Sequence, residues 1–239
     1  MIDTHAHLTT RLSGDFELPK VRTILAASSM EDSAENISLA NSYPNKLFAC
    51  IGVHPQEKNI DIDSLEEMLT KNRIAAVGEC GLEFMGEYDQ KEQEGKFIKQ
   101  IELAVKYKKP LIIHARKAAD ETVEILKKYR TTGGVFHCYA GGKKRIKKIT
   151  ELGEKWFMGL DGNLTYEIGL EEVAKEIPKD RLLLETDSPF LTPIPHRSEK
   201  NKPDYVEFIY KKVAEIWGMS FEETEKIIDN NAKRLFEVV

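Results

Sequence analysis

Short apolar runs alternate with amphipathic stretches from one end of the chain to the other. Eight runs have the length and composition of buried strands: Ile2–His7, Val21–Ala27, Leu47–His54, Ile74–Glu79, Pro110–His114, Gly134–His137, Trp156–Leu160 and Leu182–Asp187. Between and after them, apolar residues recur at helical spacing over Asp63–Asn72, Gln90–Tyr107, Ala119–Tyr129, Lys143–Leu152, Leu170–Glu176 and Tyr205–Ile216. Asp63-Ser64-Leu65-Glu66-Glu67 reads as a helix start with acidic residues in the first turn. Ser220-Phe221-Glu222-Glu223 fits a capping box before a terminal helix. Strand–helix alternation of this kind belongs to a parallel sheet covered by helices. Eight units predict an α/β fold of the (β/α)8 TIM-like barrel type. An open doubly wound sheet is the rival, but no Gly-x-Gly-x-x-Gly follows a strand. No repeat, low-complexity tract or linker divides the chain, so residues 1–239 are expected to form one barrel domain. Pro189–Pro203, with four prolines, is the most loop-like stretch.

Composition adds exclusions. With 41% hydrophobic and 31% charged residues, no stretch approaches the roughly 20 apolar residues of a membrane span. The first strand begins at residue 2, leaving no room for a signal peptide, so a cytoplasmic protein is expected. Cys50, Cys80 and Cys138 lack Cys-x-x-Cys spacing and read as free thiols. A net charge of −5 argues against a broad basic nucleic-acid surface, though not against a small local one.

The ends of the strands carry the chemistry. His5 and His7 close the first, two residues apart and hence on one face. Glu79 closes the fourth, His114 the fifth, His137 the sixth and Asp187 the eighth. A barrel delivers all of these ends to one rim, where barrel active sites sit. Four histidines and two carboxylates at one rim point to metal binding. Alternation would turn Cys80, Phe136 and Cys138 outward, and would put Asp3 and Glu185 on the inward face below His5 and Asp187. Those two buried carboxylates are candidates to accept the free N–H of a ligand histidine; a hydrogen-bond or charge pair inside the barrel is the alternative.

At these residues the chain resembles the TatD family of metal-dependent hydrolases, among the amidohydrolase-like barrels. The matching pieces are Asp3-Thr4-His5-Ala6-His7-Leu8, Gly52-Val53-His54-Pro55, Gly78-Glu79-Cys80-Gly81-Leu82, Gln93 through Ala104, Ile113-His114-Ala115-Arg116, Phe136-His137-Cys138-Tyr139 and Leu184-Glu185-Thr186-Asp187-Ser188-Pro189. They span nearly the whole chain in family order. The resemblance implies a distorted barrel holding two divalent ions. His5 and His7 would hold the first and His114 and His137 the second, with Glu79 bridging them. Asp187 would bind the first ion and contact the attacking water. Family members are known as nucleases acting on DNA, with 3′ exonuclease activity described, and some are linked to removal of D-amino acids from tRNA. Three positions depart from the expected pattern. Glu83 stands where Asp is usual, Gln56 where His often follows His-Pro, and Lys202 where Glu is usual before Pro203.

A set of four histidines and two carboxylates suits Zn²⁺, Mn²⁺ or a similar ion; Mg²⁺, which prefers oxygen, matches it less well but can support turnover. Arg116 is a candidate phosphate contact through its planar fork of donors. His54, His196 and Arg197 are further candidate substrate contacts. Gly141-Gly142 precedes the basic run Lys143-Lys144-Arg145-Ile146-Lys147-Lys148, which reads mainly as a solvated outer face. The leading expectation is a metal-dependent deoxyribonuclease in which Asp187 orients or deprotonates water. A D-aminoacyl-tRNA deacylase or other ester or amide hydrolase is the alternative, since the same ions polarise a carbonyl. A barrel that only binds nucleic acid or protein is the third reading, against which all six candidate ligands argue.

Overall fold

The apolar runs become strands in the computed structural model, which describes residues 1–237 apart from positions 15, 59 and 88. The strands are β1 (Ile2–Ala6), β2 (Arg22–Leu25), β3 (Leu47–Ile51), β4 (Ala76–Glu83), β5 (Leu111–Arg116), β6 (Gly134–Phe136), β7 (Trp156–Leu160) and β8 (Leu182–Leu184). They pair in parallel in chain order, β1 to β8. Beyond the end of β8 the ring meets β1: the Asp187 N–H donates to the His5 carbonyl at 2.9 Å and the His7 N–H to the Ser188 carbonyl at 2.7 Å. This is the expected (β/α)8 TIM-like barrel, nearly closed, with register irregularities in β1 between Asp3 and Ala6 and in β4 between Val77 and Cys80.

The helices are α1 (Thr10–Ser13), α2 (Met30–Ser42), α3 (Ile62–Lys71), α4 (Gln90–Tyr107), α5 (Ala119–Leu126), α6 (Lys143–Thr150), α7 (Ile168–Glu176), α8 (Val206–Trp217) and α9 (Phe221–Phe236). None of the helices described is long and apolar enough to cross a membrane. The Ser220–Glu223 capping box opens α9. Helix α3 starts at Ile62, one residue earlier than the Asp63 signal suggests, because the Asp61 carboxylate caps it by accepting from the Ser64 N–H. Hydrophobic periodicity does not mark α2, for its buried face is polar: Asp32, Ser33 and Asn36.

Two apolar layers hold the architecture. Ile24, Phe48, Ala76, Ile112, Val135, Phe157 and Leu183 from successive strands pack with Leu235 and Phe236 of α9. The opposite faces of the strands, with Ile51, Ile113, Phe136 and Met158, pack against helix residues such as Phe97, Ile149 and Tyr210. The first layer lies below the level of His114 and His137, two residues further along β5 and past the end of β6. The polar cluster therefore sits on an apolar floor at the C-terminal rim.

Candidate metal centre

Strand ends position the cluster, and two glycines in β4 shape it. Gly78 has φ +149°, and a Cβ there would lie 2.5 Å from the Ile112 carbonyl oxygen. Gly81 has φ +140°, and its Cβ would meet the His114 carbonyl oxygen at 2.0 Å. Only glycine lets β4 approach β5 this closely. That approach brings Glu79 against His114.

The structure brings all six candidate ligands together. The His5 and His7 Nε2 atoms lie 3.2 Å apart. Glu79 Oε2 is 3.6 Å from both, and Asp187 Oδ1 is 3.4 Å from His5 and 3.5 Å from His7. The other Glu79 oxygen, Oε1, is 2.7 Å from His114 Nδ1 and 2.8 Å from His137 Nε2. The single Glu79 carboxylate thus divides the donors, one oxygen toward each histidine pair. Three donor triads have ligand atoms within 4.8 Å of one another: His5, His7 and Asp187; His5, Glu79 and His137; His54, Glu79 and His114. His54, expected only as a substrate contact, stands 3.6 Å from Glu79 Oε1 and belongs to the last triad.

The electrostatics fit cations. Burial pushes His5 and His54 down to about 4, leaving neutral imidazoles with lone pairs to share. Burial opposes the charged form of Glu79, but the surrounding histidines outweigh it and hold the carboxyl well below its ordinary value. Asp187 is likewise held down, burial being outweighed by His7 and His5. Burial also opposes protonation of His114, yet its bonds to Glu79 and Glu83 raise it to about 9. A bound cation would take the place of that proton. Two ionised carboxylates facing buried nitrogen donors make a set of ligands suited to divalent metal.

For Asp3 and Glu185 the structure follows the alternative of hydrogen bonds inside the barrel, and the outward direction expected of Cys138 is corrected. Asp3 does not reach a histidine ring. Its carboxylate accepts from the His5 N–H at 3.2 Å and the Thr186 N–H at 2.9 Å, and from the Thr186 hydroxyl at 2.6 Å. It braces the seam between β1 and the segment after β8, and the Nδ1 atoms of His5 and His7 are buried without a partner among the described residues. Glu185 Oε1 lies 3.7 Å from His137 Nδ1, beyond hydrogen-bond range, and instead accepts the Cys138 N–H at 2.5 Å. Cys138 does not pack outward either: with φ +44° it lines the cavity. Cys80 is outward as expected, in the layer under the helices.

Glu83 is the neighbour that sequence reasoning flagged only as a departure. It is buried, and its Oε2 lies 3.1 Å from His114 Nε2 while its Oε1 accepts the Met85 N–H at 2.8 Å. Its signal was the strand period itself, since Glu79, Gly81 and Glu83 share a face of β4.

A cavity of about 860 Å³ opens over the cluster, lined also by His54, Arg116, Lys117, Gly141 and Phe190. Arg116 sits on the wall with its side chain 65% exposed. His196 and Arg197 are not on this wall. His196 stacks on Tyr205 with ring centroids 4.2 Å apart, and Arg197 lies 3.9 Å over the Tyr166 ring. The basic run of α6 is largely neutralised: Arg145 and Lys148 bond Asp120, and Lys143 bonds Glu172 and Glu176.

A parallel barrel with a histidine and carboxylate cluster at its C-terminal rim defines the class of metal-dependent hydrolases. The chain belongs to the family described as TatD related DNase, whose model matches residues 2–237. It is 33% identical to the uncharacterized metal-dependent hydrolase YabD of Bacillus subtilis, over all of this chain and 99% of that one. It is 30% identical to the 3′-5′ ssDNA/RNA exonuclease TatD of Edwardsiella piscicida, over the full length of both. The crystal structure of YJJV, a TatD homologue from Escherichia coli K12, matches with a TM-score of 0.87 at 26% identity, over 100% of this chain and 98% of that one.

Proposed function

We propose that this metal-dependent hydrolase cleaves phosphodiester bonds at the ends of DNA, removing nucleotides from the 3′ end. The observation that carries the reading is the division of donors around Glu79, which offers one carboxylate oxygen to His5 and His7 and the other to His114 and His137. That arrangement suits two divalent ions, with His5, His7 and Asp187 holding one, His114 and His137 the other, and Glu79 shared. Ions bound there would supply Lewis acidity toward a phosphoryl group and lower the pKa of water.

The chain's own residues do the rest. Asp187 Oδ1, ionised and adjacent to both His5 and His7, orients the attacking water and accepts its proton. Arg116 and Lys117 extend from the end of β5 into the mouth of the cavity. Lys117 has no ion-pair partner among the described residues, and the nearest carboxylate to Arg116 is Glu83 at 3.9 Å. Two cations in that condition suit backbone phosphates. The similarity to the exonuclease of Edwardsiella piscicida supports the substrate class.

The test is a pair of assays on enzyme loaded with Mn²⁺, Zn²⁺ or Mg²⁺: release of nucleotides from 3′-labelled single-stranded DNA, and deacylation of D-aminoacyl-tRNA. Metal-dependent nucleotide release is expected. Deacylation without DNA cleavage would overturn the proposal in favour of the ester hydrolase.

A further inference from the structure

One part of the cavity wall is apolar beside a highly polar cluster. Phe190 lines the cavity and is 49% exposed. Its ring meets the edge of the candidate ligand His7, with centroids 6.3 Å apart and planes at 67°. The backbone beneath it is held: the Phe190 N–H donates to the Asp187 carbonyl at 2.9 Å, and the Asn201 amide donates to the carbonyls of Phe190 and Thr186. Leaving a large aromatic face in water gains nothing for folding. Held rigidly, it is a ready surface for a flat partner.

The opposite charge character lies three strands round the ring. Arg116 ends β5 and Lys117 follows it, whereas Phe190 follows β8, and the histidine cluster lies between. A nucleotide has matching parts in the same order: a flat base, a phosphodiester and further phosphates along the chain. An acyl ester of a small alcohol would leave the aromatic face bare.

We propose that Phe190 is the stacking platform for the nucleobase next to the scissile bond, with Arg116 and Lys117 holding phosphates of the adjoining chain. The inference rests on the phosphodiester reading above and adds how an end is recognised. The base must leave its neighbours to lie on Phe190, so unpaired ends are the preferred substrate. Stacking tolerates any base, so selection acts on the presence of a base more than on its identity.

The experiment compares single-stranded oligonucleotides ending in a normal nucleotide with the same oligonucleotides ending in an abasic residue, using metal-loaded wild-type enzyme, F190A and F190W. For the wild type, removing the terminal base is expected to raise KM about 10-fold, within the range of base–aromatic stacking. F190A should raise KM by a similar factor on the normal end and leave the abasic end unchanged, and F190W should restore the difference between the two. Equal wild-type KM on both ends overturns the platform, and so does an F190A loss that is the same on both. The wild-type comparison needs no variant, so poor folding of F190A does not decide the result. If the wild type releases nothing from either oligonucleotide, the phosphodiester reading itself fails.

Discussion

Replacing Glu83 with leucine removes one carboxylate that serves His114 and leaves the strand around it clamped. The backbone of Glu83 is held independently: its N–H donates to Gln93 Oε1 at 2.9 Å, and its carbonyl accepts from Gln93 Nε2 at 3.1 Å. What disappears is the 3.1 Å contact to His114 Nε2 and the 2.8 Å bond from the Met85 N–H. With Glu83 accepting from Nε2, the proton that a bound cation would displace is the one between Nδ1 and Glu79, which would leave Nδ1 as the ligand atom. A hydrogen bond to a charged group is worth about 1.5–3 kcal/mol. A carboxylate that fixes a metal-binding histidine is commonly worth about 10–100-fold in metal affinity. E83L should therefore weaken the site at His114 and His137 by about that factor and leave the site at His5 and His7 nearly intact. E83Q keeps an acceptor and should lose less than about 10-fold; E83D, one methylene shorter, should fall between. Chelator competition or calorimetry with Zn²⁺ or Mn²⁺ measures both affinities without turnover. If E83L binds two equivalents as tightly as the wild type, Glu83 does not position His114 and the reasoning fails.

D187N should reduce turnover by at least about 100-fold while keeping the fold, because the bond from the Asp187 N–H to His5 does not involve the side chain; near-normal kcat would remove Asp187 from proton transfer. Stripping metal with a chelator should lower Tm by roughly 5–10 °C per ion at about 100 Kd of free metal, since such binding adds about 2.7 kcal/mol; an unchanged Tm would contradict a native metal centre. G81A should destabilise the protein by about 3 kcal/mol in denaturant titration, because its Cβ would lie 2.0 Å from the His114 carbonyl oxygen; wild-type stability would show that β4 and β5 can separate cheaply. Burial opposes the charge of Asp32, but its bonds from Arg11 and Thr9 outweigh that and depress its pKa. The stabilisation is therefore complete above the ordinary aspartate range and is lost as pH falls through the lower folded value. The Tm gap between wild type and D32N should be flat from about pH 5 to 7 and shrink below about pH 4; a gap independent of pH would exclude the charge as its cause.

The clustering of the six candidate ligands was legible because it depends on little. A buried strand announces itself by composition, residues at or just past its C-terminal end reach the rim, and a histidine there needs only the barrel to meet its partners. The supporting contacts depend on backbone detail that composition does not encode. Strand β8 was expected to reach Asp187 but ends at Leu184, because the following residues bond β1 and Asp3 instead, and Asp187 itself has φ +52°. Alternation cannot be carried through such a residue, and Cys138, with φ +44°, faces the cavity for the same reason. Strand β4 errs the other way: it continues four residues past Glu79, since Gly81 lets it stay beside His114, and the extension delivers Glu83 to the imidazole. Helix α2 was hidden for a different reason. Asn36 donates to the carbonyls of Leu25 and Ala26, and Ser33 to that of Gly52, so the buried face satisfies strand ends rather than filling an apolar gap. Where burial is apolar, periodicity reads it. Where burial works through hydrogen bonds, the polar residues look like surface until their partners are in place.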